Sequence, residues 1–297
     1  MLRKLRRAFA YVFVRMLMGI AEVLPRQAGA ACFGKLGALA YVVFKRSRAI
    51  TLTNLYLVYG RKLSDKDIRG IARAAFVNMG RFAFDVARLR KQSPQSIRSI
   101  VAVKGQHHLD RALDKGKGVI AVTGHIGNWE LLAAYFAMMG YPVNVVATRL
   151  KDSRLNDLLV NLRRSAGLCV VERSKGLLQA FRCLKKGEIL GVLIDQDTSV
   201  ESVVVDFMGE PTKTAIGPVK LASRTGAAIL PVAMLMTDEG NYEIEVSQPV
   251  QVGEDGATLE DDVERCSKAV ERFIQKEPTQ WVWMHKRWKS VKSNLYR

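Results

Sequence analysis

GVIAVTGHIGNWELLAAY, residues 118–135, passes from a short apolar run through a glycine-flanked histidine into a stretch of helical spacing. Val119, Ile120, Ala121 and Val122 make a run short enough for a buried strand. Thr123, Gly124, His125, Ile126 and Gly127 break it, and Asn128 stands where a helix N-cap belongs. From Trp129 onward apolar residues return at Leu131, Leu132, Tyr135, Phe136 and Met139. A histidine therefore leaves the carboxyl end of a strand, and an acid, Glu130, occupies the first turn of the next helix. Open α/β sheets hold ligands and catalytic groups in that crevice.

The pair His125 and Glu130 has a chemical reading. A neutral imidazole can take a proton from a hydroxyl nucleophile near neutral pH. A carboxylate on its other ring nitrogen would fix the tautomer and stabilise the imidazolium formed during attack. Gly124 and Gly127 let the backbone turn tightly enough to bring the two side chains together. Asn128 and the free N–H groups of the helix start can satisfy Glu130 or meet a negative oxygen. The six-residue pattern alone fits a surface histidine beside an ordinary first-turn glutamate better, because short motifs match by accident.

The chain beyond this stretch alternates. Strands are expected at Val143 to Ala147, Leu168 to Val171, Ile189 to Ile194, Ile229 to Leu235 and Tyr242 to Ser247. Helices are expected at Ser153 to Ala166, Leu177 to Lys185, Pro218 to Arg224 and Thr258 to Lys276. This predicts an α/β fold with a mixed central sheet flanked by helices. Arg149 follows a strand and is suited to holding phosphate with both arms of its guanidinium. Asp195 and Asp197 leave another strand with their side chains on one face; one of them can pair with Arg149 or orient the acceptor, the alternative being a structural turn. Trp281, Trp283 and Trp288, interleaved with His285, Lys286, Arg287 and Lys289, suit a bilayer interface or a tryptophan-rich core equally. No G-x-S-x-G, H-E-x-x-H or complete P-loop is present.

Ahead of this region, Ser64 and Asp67 form a capping pair for a helix with the apolar stripe Ile68, Ile71, Ala75, Phe76, Met79 and Phe82, ended by Ser93-Pro94. Met1 to Pro25 is basic, then apolar: Arg3, Lys4, Arg6 and Arg7 precede AFAYVFVRMLMGIAEVLP. No small-residue cleavage site follows Pro25, and the run is shorter than the ~20 residues of a spanning helix and broken by Arg15. A helix lying in the membrane interface fits better, with a spanning anchor as the alternative. The expected division is a membrane-associating segment over 1–25 and a catalytic unit over 26–297. Within that unit, a helical lead-in covers 26–100 and the α/β core 101–297.

The net charge of +18 and pI near 9.9 call for anionic partners: a phospholipid surface, a phosphorylated lipid, an acidic carrier or nucleic acid. Cys32, Cys169, Cys183 and Cys266 lie far apart, which gives neither a zinc site nor a disulfide framework. The four histidines form no metal-binding run, and His107 and His108 read as solvated residues before a helix.

TGHIGNWELL closely resembles the signature of the bacterial lipid A late acyltransferases, the lauroyl and myristoyl branch of the lysophospholipid acyltransferase superfamily. That superfamily carries H-x-x-x-x-D, and this branch accepts Glu at the acid position, as here. Arg149 in VVATRLKDSRLNDLLVNLRRSAG, the triplet Asp195-Gln196-Asp197, VVVDFMGEPTKTAIGPVKLASRTGAAILPV and WVWMHKRWK follow in the family's order. The resemblance runs from about Lys104 to Lys289, with a looser match before it. It implies a glycerolipid-acyltransferase-like sheet and an O-acyltransferase working at the cytoplasmic face of the bacterial inner membrane. His125 would be the general base, assisted by Glu130, with Arg149, Asp195, Asp197 and Asn128 binding substrate or supporting the site. The donor implied is acyl carrier protein, or acyl-CoA; the acceptor is a hydroxyl on a lipid A precursor at an anionic membrane. No metal, redox cofactor or nucleic acid is implied. Direct transfer is favoured, because no activated Ser or Cys stands beside His125. The alternatives are an acyltransferase acting on a lysophospholipid or a phosphatidylinositol mannoside, and a non-catalytic basic membrane-binding protein.

Overall fold

The computed structural model describes residues 2–173, 176–254 and 256–296. Four helices come first: α1 (Leu2–Val23), α2 (Arg26–Val43), α3 (Lys45–Tyr59) and α4 (Asp65–Ala87). Pro25 separates the first two, a residue that fits just ahead of a helix because it has no N–H to leave unpaired. Ser64 caps α4 as its sequence directs, accepting the Asp67 N–H at 3.2 Å. Ile68, Ala75, Phe76 and Phe82 of the expected stripe are buried. Ser93-Pro94 does not end that helix, which stops at Ala87; Ser93 instead caps a separate short helix, α5 (Pro94–Arg98).

The α/β region then runs β1 (Val101–Lys104), α6 (Gln106–Leu113), β2 (Val119–Thr123), α7 (Trp129–Met138), β3 (Val143–Ala147), α8 (Ser153–Ser165) and β4 (Cys169–Glu172). It continues with α9 (Leu177–Lys185), β5 (Ile189–Leu193), β6 (Ser202–Phe207), β7 (Glu210–Ala215), α10 (Gly217–Thr225), β8 (Ala228–Met236), β9 (Tyr242–Val246) and α11 (Leu259–Lys276). Every element expected after His125 is present to within a residue or two. His107 and His108 lie inside α6 rather than before it. Not anticipated were the short β1 and the hairpin β6–β7, which pairs apart from the main sheet.

Seven strands form the sheet in the order β1-β9-β8-β2-β5-β3-β4. β8, β2, β5, β3 and β4 are parallel; β9 is antiparallel to β8, and β1 runs parallel to β9. Parallel strands must be covered on both faces, and alternate residues of β2 show how. Ile120 and Val122 face a cluster with α9, α10, α11 and Trp281, Trp283 and Trp288. Val119 and Ala121 face another with α6, α7 and the ends of α4 and α5. The three tryptophans are at most 1% exposed, so they are core and not a bilayer belt.

Among the described residues no single helix is long and apolar enough to cross a membrane; α2 and α3, bent by 89°, pass that test only as a pair. On α1 the residues Leu5, Phe9, Val12, Phe13, Met16, Ile20 and Val23 are exposed, and their three- and four-residue spacing puts them on one face. Ala21 on the opposite side is buried against Phe33, Phe84 and Ala87. The side chains of Arg3, Lys4 and Arg6 lie outside the described residues.

Candidate active site

β2 and β5 are parallel neighbours in register, Thr123 beside Leu193. His125 and Asp195 each stand two residues beyond that pair, so the sheet itself sets them side by side at its carboxyl edge. The Asp195 carboxylate accepts the His125 backbone N–H at 2.6 Å and lies 2.8 Å from His125 Nδ1. A third donor, Trp281 Nε1, reaches it at 2.7 Å. Asp195 is 1% exposed. Burial works to raise its carboxyl, but the His125 ring and these donors outweigh it and draw the group down to about 2. An ionised acceptor on Nδ1 fixes the tautomer with the proton there. That leaves Nε2, which makes no hydrogen bond among the described residues, free to accept a proton.

Two glycines make this geometry accessible. A Cβ on Gly124 would stand 3.0 Å from the Asp195 carboxylate carbon and from Val270, crowding the approach of the acid. Gly127 has φ of +56°, and a Cβ there would meet the Met234 carbonyl at 1.8 Å. The turn between strand and helix therefore needs Gly127, while the imidazole itself packs edge-on to Trp129 at 5.1 Å between ring centres.

Glu130 does not hold the His125 Nδ1; Asp195 does. The Glu130 carboxylate is taken by Arg163 of α8 through two hydrogen bonds, Nε to Oε2 at 2.9 Å and Nη2 to Oε1 at 2.5 Å. Glu130 points from α7 toward α8, while β5 delivers a carboxylate straight to the ring. Asn128 is the N-cap of α7: its side-chain oxygen accepts from the Leu131 N–H, and its amide donates to the Tyr242 hydroxyl at 3.2 Å. Asn128 is consequently occupied with structure. Asp197 is separated from Asp195 in role, because its carboxylate accepts from the Ser290 hydroxyl and N–H and so ties the β5 end to the C-terminal segment.

Arg149 is exposed and makes no hydrogen bond or ion pair among the described residues. It lines a cleft of about 520 Å³ at the carboxyl ends of β3 and β4, together with Leu150, Asn156, Arg163, Arg164 and Val170. Arg163 thus joins the two parts of the site, gripping Glu130 and bordering the cleft. Neither Arg163 nor Trp281 is assigned a place in the site by sequence. WVWMHKRWK marks the right segment, but a tryptophan's donor direction is a property of the packed chain. His285 in the same segment is half-buried with its Nε2 unpartnered. Burial pushes its imidazole below the ordinary range, against the pull of Asp195.

The sequence profile described as bacterial lipid A biosynthesis acyltransferase matches residues 1–290. Among individual relatives, phosphatidylinositol mannoside acyltransferase of Mycobacterium tuberculosis is 34% identical over 53% of this chain and 52% of its own. The chain thus spans about half the length of that curated relative. The lipid A biosynthesis lauroyltransferase of Escherichia coli K12 is 27% identical over 86% of this chain and 83% of its own. The crystal structure of the 1-acyl-sn-glycerophosphate acyltransferase of Thermotoga maritima has a TM-score of 0.39 and 15% identity, covering 84% of this chain and 95% of that one. That match is too loose to transfer any residue. With the profile covering all but the last few residues, the chain belongs to the bacterial lipid A biosynthesis acyltransferase family.

Proposed function

We propose that this protein moves a fatty acyl group from a thioester donor to a hydroxyl of a phosphorylated glycolipid, with a lipid A precursor as acceptor and acyl carrier protein or acyl-CoA as donor. The observation that carries this reading is His125 held on the buried, ionised Asp195 with its second ring nitrogen unoccupied. Nε2 takes the proton of the acceptor hydroxyl as its oxygen attacks the thioester carbon. Collapse of the tetrahedral adduct breaks the C–S bond, and the imidazolium returns its proton to the thiolate. Asp195 stabilises the imidazolium in between. No covalent acyl-enzyme is required. Arg149 and Arg164 at the cleft suit a phosphate on the acceptor or on the donor's pantetheine arm. Glu130 acts by fixing Arg163 at the cleft wall. The apolar stripe of α1 lies in an anionic membrane, on the cytoplasmic face where thioester donors are found.

A mannosylated inositol lipid is the second acceptor to consider, supported by the 34% identity of the mycobacterial relative. Purified protein given acyl carrier thioester or acyl-CoA with each acceptor in mixed micelles, and products read by mass spectrometry, decides between them. A lipid A precursor gaining one acyl chain in a His125-dependent manner is the expected result. Transfer only to the mannoside would change the acceptor, and transfer to neither would end both acceptor readings.

A further inference from the structure

Arg287 is 0% exposed, yet no carboxylate stands within ion-pair distance of it among the described residues. Its Nη1 donates to the Lys213 carbonyl at 2.8 Å and its Nη2 to the Thr214 hydroxyl at 2.7 Å, both neutral acceptors on β7. Its Nε has no partner. A buried cation satisfied only by dipoles is costly unless a charge of opposite sign lies near enough to act through the low-dielectric interior. Asp195 is an anion buried to nearly the same degree, at 1% exposed. Between them runs a continuous aromatic contact: the guanidinium sits 4.8 Å over Phe207, Phe207 meets Trp281 at 5.7 Å, and Trp281 donates to Asp195. Packed rings fill that path between the two charges, so their attraction is little screened.

We propose that Arg287 is a positioning residue whose buried charge keeps the His125 imidazole neutral on its Asp195 carboxylate, the form a general base needs. This deepens the acyltransferase reading and rests on it for its catalytic meaning. The titratable groups acting on Arg287 are Asp195 and Asp197 at the end of β5 and Tyr296 in the C-terminal turn, with His285 beside it on its own segment. From the hairpin the Phe207 ring, the Lys213 carbonyl and the Thr214 hydroxyl reach its guanidinium, none of them charged. From α11, Glu271 is already engaged by Lys268 and by the Met208 N–H. Removing the positive charge leaves Asp195 its three donors and therefore ionised, while the imidazolium loses a repelling neighbour. The direction follows: the neutral variant binds its proton more tightly.

The test is an NMR titration of the histidine ring protons in the full chain, where four histidines give few signals and His125→Gln identifies one of them. Arg287→Gln removes the charge but retains an amide for the Thr214 and Lys213 contacts. Its His125 midpoint should rise by about half to one pH unit, the scale of one moderately distant charge in a protein interior. Arg287→Lys should stay close to the parent at neutral pH. An unmoved His125 midpoint in folded Arg287→Gln would overturn the proposal. Should the Gln variant not fold, Arg287→Lys carries the test, because a buried ammonium titrates where a guanidinium does not. His125 must then show a second inflection as that lysine loses its charge, and a single inflection would equally overturn the proposal. None of these readings needs turnover, so a protein inactive toward both acceptors would fail the proposed function without touching this result.

Discussion

Asp195 is the residue on which the site turns, and it makes the sharpest kinetic forecast. A general base and the carboxylate that orients it act as one unit, so their losses do not multiply. His125→Ala and Asp195→Ala should each lower acyl transfer by roughly 10²–10⁴, and the double variant should be little worse than either. Glu130→Ala should instead multiply with His125→Ala and show non-additivity with Arg163→Ala, its actual partner. The opposite pattern would restore the His125–Glu130 pairing. A pH effect follows from the same carboxylate. Its folded value, about 2, lies below its ordinary 3.8. It therefore contributes stability that is complete above pH ~4 and is lost as pH falls toward 2, on the order of 2 kcal/mol. Denaturant melts of the parent and Asp195→Asn should converge over that interval; a gap that stayed constant with pH would refute the assignment. The histidine is legible in the sequence because its motif is local. The choice between Glu130 and Asp195 is not, since the deciding neighbour is seventy positions away.

At the scale of elements, periodicity and turn residues locate the helices and strands after His125, but they carry no information on which strand lies beside which. β5 joins β2 only because the order is β8-β2-β5-β3, and that order puts Asp195 next to the histidine. The hairpin β6–β7 is hidden in the sequence for a local reason. Its two turn residues, Met208 and Gly209, both have positive φ, 58° and 84°, and the usual signal for such a turn is Asn-Gly or Asp-Gly. Met208 is held there by burial and by donating its N–H to Glu271 at 2.8 Å. The strand-to-cleft geometry gives the next prediction. Arg149 follows β3 and borders the cleft with Arg163 and Arg164, and a planar guanidinium can hold two phosphate oxygens where lysine holds one. Arg149→Lys should lose about tenfold or more in rate at saturating donor, with thermal stability unchanged because the residue is exposed and unpaired among the described residues. Full activity in that variant would leave Arg149 as surface charge.

For the whole molecule the question is how it meets its lipid. The seven exposed apolar residues of α1 share one face, and the other face is pinned to α2 and α4 by Ala21, Phe33 and Phe84. The helix is thus part of the folded body, presenting a hydrophobic edge instead of trailing as a separate anchor. The chain as a whole is strongly basic, with a net charge of +18. Under the proposed function two forces of different range would act toward an anionic bilayer: charge attraction, which salt screens within about 10 Å at 0.1 M, and insertion of the stripe, which salt does not weaken. Replacing Phe9, Phe13 and Met16 by Ser breaks the middle of the stripe and weakens insertion while leaving the charge and the packed face untouched. That variant should still bind anionic vesicles in low salt, but about 0.5 M salt should release it while the parent stays bound. Vesicle flotation across a salt series measures both. Release of parent and variant at the same salt concentration would mean that α1 does not enter the bilayer, and that charge alone brings the protein to its substrate.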